Sequence, residues 1–176
     1  MAAVISPEEL RHLDIGPRPD ERGAEAGTVS CVARCRCDAG QVGERAREVL
    51  RVVLAQADQS WPALSEWRLL LPPWFVESSA GEQSLEEAGR WLSWWRSLPA
   101  EERASVARAR AWTLSDWLYW LQPSERQWFW WDALVENTDT LRVVVEVSGW
   151  PAPLGALDWL LRAAGAVEVI FEEPGC

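Results

Sequence analysis

Three acidic side chains lie among the tryptophans of this chain. Asp116 precedes Trp117, Asp132 follows Trp131, and Glu136 stands a few residues on, near a turn. Two carboxylates in an aromatic cleft are the equipment of glycosidic acid–base chemistry, with sugar rings stacked on indole faces. The spacing here is not diagnostic of that chemistry. Asp116 serves equally well as a helix cap, and Asp132 as an acceptor for an indole N–H or a partner for Arg126.

Other routes to catalysis are thinly supplied. The one histidine, His12, falls in an N-terminal segment expected to be loose, which argues against His-based catalysis and His metal clusters. All 17 basic residues are Arg, so the lysine of a phosphate-binding loop and the amine of a Schiff base are both missing. Neither a Gly-x-Gly-x-x-Gly turn nor a Gly-x-Ser-x-Gly elbow occurs. Cys31, Cys35 and Cys37 share the inner side of an alternating segment with Val29 and Ala33, as small apolar packing residues do. A metal site would need Cys176 or His12 as fourth ligand at a spacing unlike that of structural zinc sites. No cofactor or metal is expected, and an enzyme is not the favoured reading.

What dominates is tryptophan. Fourteen occur in 176 residues, and all but Trp150 and Trp159 lie within residues 61–131. Each indole must fill core, line a pocket or cover a contact surface, and each N–H seeks an acceptor. Trp91, Trp95 and Trp117 fall on helical stripes and read as core. Trp94 lies off its stripe and Trp120 beside one, while Trp128 and Trp130 share the strand face opposite Trp131. Those four, with Asp116, Asp132 and Glu136, are the candidate binding residues, expected to line a groove between a helical insert and a sheet.

The elements that must position them follow from periodicity. Ser6-Pro7-Glu8-Glu9 reads as a capping box opening a short helix, and the glycines and prolines of 13–27 as a mobile arm. Residues 28–37 alternate as a strand, and 42–57 carry Val42, Ala46, Val49, Leu50 and Val53 at helical spacing. Trp67–Leu71 and Trp74–Val76, interrupted by Pro72-Pro73, read as an edge strand. A Trp-rich helical insert over about 78–123 follows, with helices opened at Ser84, Pro99 and Thr113. Residues 127–136 and 141–147 then form a hairpin, 154–164 a helix and 167–171 a last strand. In the first hairpin strand Trp128, Trp130 and Leu134 share one face, and Phe129, Trp131, Ala133 and Val135 the other. The tripeptide Asp-Trp-Leu occurs at both 116–118 and 158–160, too short to be a repeat.

The order β-α-β, helical insert, β-β-α-β predicts an α+β domain over 28–176, a split β-α-β sheet of ferredoxin-like type with helices mainly on one face. That architecture carries no function by itself.

Charge narrows the partner. The chain bears 27 acids against 17 Arg, a net −10. Such a surface repels phosphate backbones and steers basic partners inward, so nucleic acid is not expected. Met1–Ile5 is too short an apolar stretch for a secretion signal, and no apolar run reaches membrane length. The expectation is a cytoplasmic protein, and Arg without Lys suggests the GC-rich genome of a bacterium. In general physical style the chain resembles small acidic proteins that neutralise basic toxins, a resemblance of surface only. The expected function is therefore an acidic protein-interaction module of immunity or antitoxin type, acting on a basic protein. The alternatives are a Trp-lined binder or enzyme for small molecules and a structural subunit of a larger assembly.

Overall fold

Period-two alternation in two segments builds the middle of a sheet. A computed structural model of the chain describes residues 7–21 and 27–172, with elements in the order α1 (Pro7–Ile15), β1 (Thr28–Cys35), α2 (Ala39–Gln56), α3 (Leu64–Leu70), α4 (Pro73–Ser78), α5 (Leu85–Ser97), α6 (Ala100–Ala109), α7 (Leu114–Leu121), β2 (Trp128–Asn137), β3 (Thr140–Val147), α8 (Gly155–Ala164) and β4 (Ala166–Phe171). The four strands form one open antiparallel sheet in the order β2-β3-β1-β4. With eight helices among the described residues the chain is α+β.

One face of the sheet is the core. Val29, Cys31, Ala33 and Cys35 of β1 and Leu141, Val143, Val145 and Val147 of β3 are all buried. Helices α2 and α8 pack against each other and the sheet, contributing Val42, Val49, Leu50 and Val53 from one and Leu157, Leu160 and Leu161 from the other. Each such Val or Leu contributes about 1.5–3 kcal/mol of transfer free energy. Asp38 starts α2 by accepting the Gln41 N–H at 3.1 Å. Gly165 ends α8 at φ +127°, where a Cβ would also meet Val42 at 3.2 Å, so the position demands glycine. Cys37, expected on the inner face, lies beyond the end of β1 and is exposed.

Two sequence expectations fail for local reasons. The edge strand expected at 67–76 is two short helices, α3 and α4. The buried Trp67, Leu71 and Phe75 recur every four positions, a helical spacing rather than an alternating one. Glu66 caps α3 by accepting the Ala63 N–H at 2.9 Å, and Pro73 occupies the first turn of α4, where its missing N–H costs nothing. The sheet therefore has one strand fewer than β-α-β, insert, β-β-α-β requires. In β2 the pairing shifts between Trp130, opposite Val145, and Asp132, opposite Val144, leaving Trp131 as the extra residue of a bulge. Beyond the bulge the faces exchange. Ala133 and Val135 take the inner side, opposite Val143 and Leu141, with Val135 still 47% exposed near the strand's end, and Leu134 turns outward.

The N-terminal segment is docked. Ser6, the expected cap, lies outside the described residues, while Glu9 has a distant partner. Its carboxylate is buried, paired with the buried Arg126 guanidinium, and accepts the Trp130 N–H at 2.7 Å. Helix α1 thus covers the free edge of β2, which would otherwise offer unpaired backbone groups. Leu13 enters the core, and His12 is buried with its ring 4.5 Å from Trp131. The following residues are tethered through Glu21, which accepts from the Arg18 N–H at 2.8 Å and lies 2.9 Å from His12 Nε2.

Replacing Glu9 by Ala leaves Arg126 charged and buried without its partner, at a cost of about 3–5 kcal/mol. Denaturant titration should show that loss, and the double variant Glu9→Leu/Arg126→Met should recover most of it. A second expectation concerns pH. The Arg18 N–H, together with Arg11 and His12, holds the Glu21 carboxyl down from 4.5 to about 2. A lowered carboxyl stabilises the docked segment above pH 4.5 and loses that contribution as pH falls toward 2. Side-chain carboxyl NMR should place the Glu21 midpoint near 2; a midpoint near 4.5 would show that the tether is not formed in solution.

Candidate functional site

The fourteen indoles sort into three environments. Trp67, Trp117, Trp128 and Trp130 are fully buried, Trp94 and Trp150 are about half exposed, and the others are partly covered. Trp128 and Trp130, expected to line a groove, are core plates. Arg126 lies 4.9 Å above the Trp128 ring and Arg47 5.8 Å from that of Trp130, so guanidinium rather than solvent faces them. Trp91 and Trp95, read as core, are only partly buried. They stack on each other at 6.1 Å and carry Arg110 and Arg103 at 3.9 and 5.7 Å. Trp94 projects from α5 without a ring partner among the described residues.

The groove expected between insert and sheet resolves into two separate surfaces. The first is the outer face of the sheet, opposite the face packed by α2 and α8. Its cross-strand rows follow from the register. Leu134, Arg142, Val32 and Ile170 form one row across all four strands, and Asp132, Val144 and Ser30 the next. Leu134 and Ile170 are 60% and 51% exposed. Arg142 sits centrally, held by Glu136 at 2.6 Å and Glu172 at 2.7 Å, while Arg34 meets Glu168 at 3.8 Å. With Asp132 and Glu146 the face carries five acids against two Arg. Asp132 also accepts the Ala133 N–H at 2.8 Å, and its Oδ1 lies where a Cβ on Gly16 would come within 3.1 Å. Asp132 and Glu136 therefore belong to this face and not with the tryptophans. Sequence reading missed Glu146, Glu168, Glu172 and Ile170, because only register reveals that they neighbour one another.

The second surface is a pair of clefts on either side of Trp112. One, of about 260 Å³, is bounded by Trp91, Arg110, Asp116, Tyr119 and Trp120. Asp116 stands in the first turn of α7, but the cap is Thr113, whose Oγ1 accepts the Asp116 N–H at 3.1 Å. That frees the Asp116 carboxylate to face solvent at the cleft. The other cleft, of about 390 Å³, has walls of Trp112, Trp150, Trp159 and Phe171, with Asp158 and Arg108 as its charged groups. Trp112 packs against Gly155, where a Cβ would come within 3.0 Å of the indole. Burial pushes the Asp158 carboxyl above its ordinary value, against the pull of Arg162 and Arg108.

The second Asp-Trp-Leu triplet was the available signal for Asp158 and Trp159. The two triplets nonetheless differ in setting. Trp117 is buried and donates to the Ala156 carbonyl at 3.0 Å, whereas Trp159 lines the cleft.

Cys31 and Cys35 behave as packing residues. Burial pushes the Cys31 thiol up to about 12 and raises Cys35 as well, which leaves both as protonated thiols at neutral pH. Among the described residues no three His, Cys, Asp or Glu side chains converge to hold a metal ion. No helix there is long and apolar enough to cross a membrane. No family model, curated protein or solved structure matches the chain.

Gly155→Ala should lift Trp112 from its seat and deform both clefts. The expected cost is about 1–3 kcal/mol in denaturant titration, with altered indole N–H shifts for Trp112, Trp150 and Trp159. Unchanged shifts would show that Trp112 does not rest on Gly155.

Proposed function

We propose that the chain is a protein-interaction module that docks a basic partner on the outer face of its sheet, after the manner of small acidic proteins that neutralise basic toxins. The observation that carries this reading is the composition of that face: half-exposed Leu134 and Ile170 amid Asp132, Glu136, Glu146, Glu168 and Glu172, with Arg34 and Arg142 as the Arg residues of its strands. Apolar side chains supply contact energy, and a carboxylate excess steers a cationic surface toward them. Arg142, clasped between Glu136 and Glu172, shows the kind of guanidinium seat that a partner's arginines would meet. The net charge of −10 favours the same class of partner and disfavours nucleic acid.

The finer fold reading belongs with this proposal. Strand β3 lies between β2 and β1, antiparallel to both, and β4 flanks β1. We read that order as a ferredoxin-like split arrangement in which α3 to α7 form a long insert between α2 and β2. We also read the chain as a cytoplasmic protein of a bacterium, on its charge and its use of Arg alone.

A short synthetic peptide of alternating Arg and Val tests the docking. In an NMR titration at physiological salt it should shift amides of Ser30–Arg34, Arg142–Glu146 and Glu168–Glu172. The variant Glu168→Gln/Glu172→Gln should bind about tenfold more weakly, with a smaller salt dependence. Equal binding by the variant, or shifts confined to other surfaces, would remove the basis for the proposal.

A second reading, a binder of small molecules, is favoured by the cleft walled by Trp112, Trp150 and Trp159. Its volume falls at the lower end of the range typical of ligand sites.

A further inference from the structure

The larger cleft is assembled from parts far apart in sequence: α6, the Trp112 segment, the loop from Trp150 to Leu154, the start of α8 and the end of β4. Its walls are indoles and a phenyl ring, which suit a flat apolar body. The charges decide what that body must carry. Asp158 forms an ion pair with Arg162, Oδ2 to Nε 3.1 Å, its side chain is only 13% exposed, and its Oδ1 is buried out of a ligand's reach with no hydrogen-bond partner among the described residues. Arg108 is exposed and lines the cleft, yet it makes no hydrogen bond and no ion pair within 4 Å among the described residues. With Asp158 paired to Arg162, which is not a lining residue, Arg108 is the charged lining group left without an ion pair within 4 Å among the described residues.

We infer that this cleft binds a planar aromatic carboxylate, its ring held between the Trp112, Trp150 and Trp159 faces and its carboxylate on the Arg108 guanidinium. The planar fork of an arginine matches a carboxylate with two parallel hydrogen bonds. A cationic ligand meets the wrong balance, since Asp158 is occupied by Arg162 and Arg108 repels it. A polyphosphate meets one available guanidinium on a strongly acidic protein, too little to offset the repulsion. The site rests on the small-molecule reading of this cleft and is separate from docking at the sheet.

The test uses one ring with three end groups: 2-naphthoate, 2-naphthamide and 2-naphthylmethylamine, titrated into the whole chain by calorimetry and by NMR of the indole N–H groups. Naphthoate should bind saturably and shift the Trp112, Trp150 and Trp159 signals, with the amide about tenfold weaker and the amine weaker still. R108Q should bring the acid down to the level of the amide while leaving the amide unchanged, and W150A should weaken acid and amide alike. Leu134→Ser, on the sheet face, should leave naphthoate binding intact, so failure of this site and failure of sheet docking are read independently. No saturable binding of naphthoate, tightest binding of the amine, or a preference for the acid that survives R108Q would overturn the assignment.

Discussion

An antiparallel sheet whose helices lie against one face must satisfy two surfaces of opposite character, and most of this molecule is organised around that constraint. The inner face is filled by α2 and α8 and takes small and branched residues from β1 and β3, so the strands can approach the helices closely. The outer face has to remain compatible with water, and it does so with cross-strand ion pairs threaded between valines, a leucine and an isoleucine. The bulge at Trp131 is part of the same solution. It allows Trp128 and Trp130 to point inward at one end of β2 and Ala133 at the other, where α2 comes near enough for Arg47 to reach the Ala133 carbonyl at 3.4 Å. Helix α1 then closes the free edge of β2 through a carboxylate that serves both a guanidinium and a backbone N–H.

Tryptophan and arginine are used together across the chain. Guanidinium groups lie over the rings of Trp74, Trp91, Trp95, Trp128 and Trp130. An arginine stacked on an indole shields apolar surface while keeping its charge available, which lysine does less well because its ammonium is more strongly hydrated. Partly covered indoles outside the core are therefore protected without being fully buried. Several buried indole N–H groups, among them those of Trp67, Trp128 and Trp130, have no acceptor among the described residues. Placing so many large rigid plates in one core gives up some hydrogen bonding for apolar contact.

Local signals carried much of this architecture. The alternation of β1 and β3, the helical stripe of α2, the Ser84–Glu87 capping box and the glycine after α8 are all properties of short windows, and the structure contains each of them. What short windows could not carry were relations between distant residues. Nothing near Glu9 in sequence points to Arg126, 117 positions away, as its partner. Trp128 and Trp130 lie on a strand apolar on both faces, so neither side could be identified as core until α2 and the bulge were in place. The pair Pro72-Pro73 was read as a strand terminus although proline is equally at home in the first turn of a helix. Of the candidate site, Asp116 and Trp120 meet at one cleft, Asp132 and Glu136 at the sheet face, and Trp94 stands apart.

Helices α5 and α6 pack chiefly on each other and contribute no fully buried side chain. They are held by indole stacking, guanidinium contacts and the Trp95 N–H on the Arg103 carbonyl at 2.9 Å. A unit of this kind can open without disturbing the sheet, because little apolar surface ties it to the rest. Ala107 and Arg108 of α6 form one wall of the larger cleft. The shape of that cleft is thus governed by the least anchored part of the described chain. Anything that settles between this wall and α8 would also order the helical pair, so occupancy and local folding would rise together.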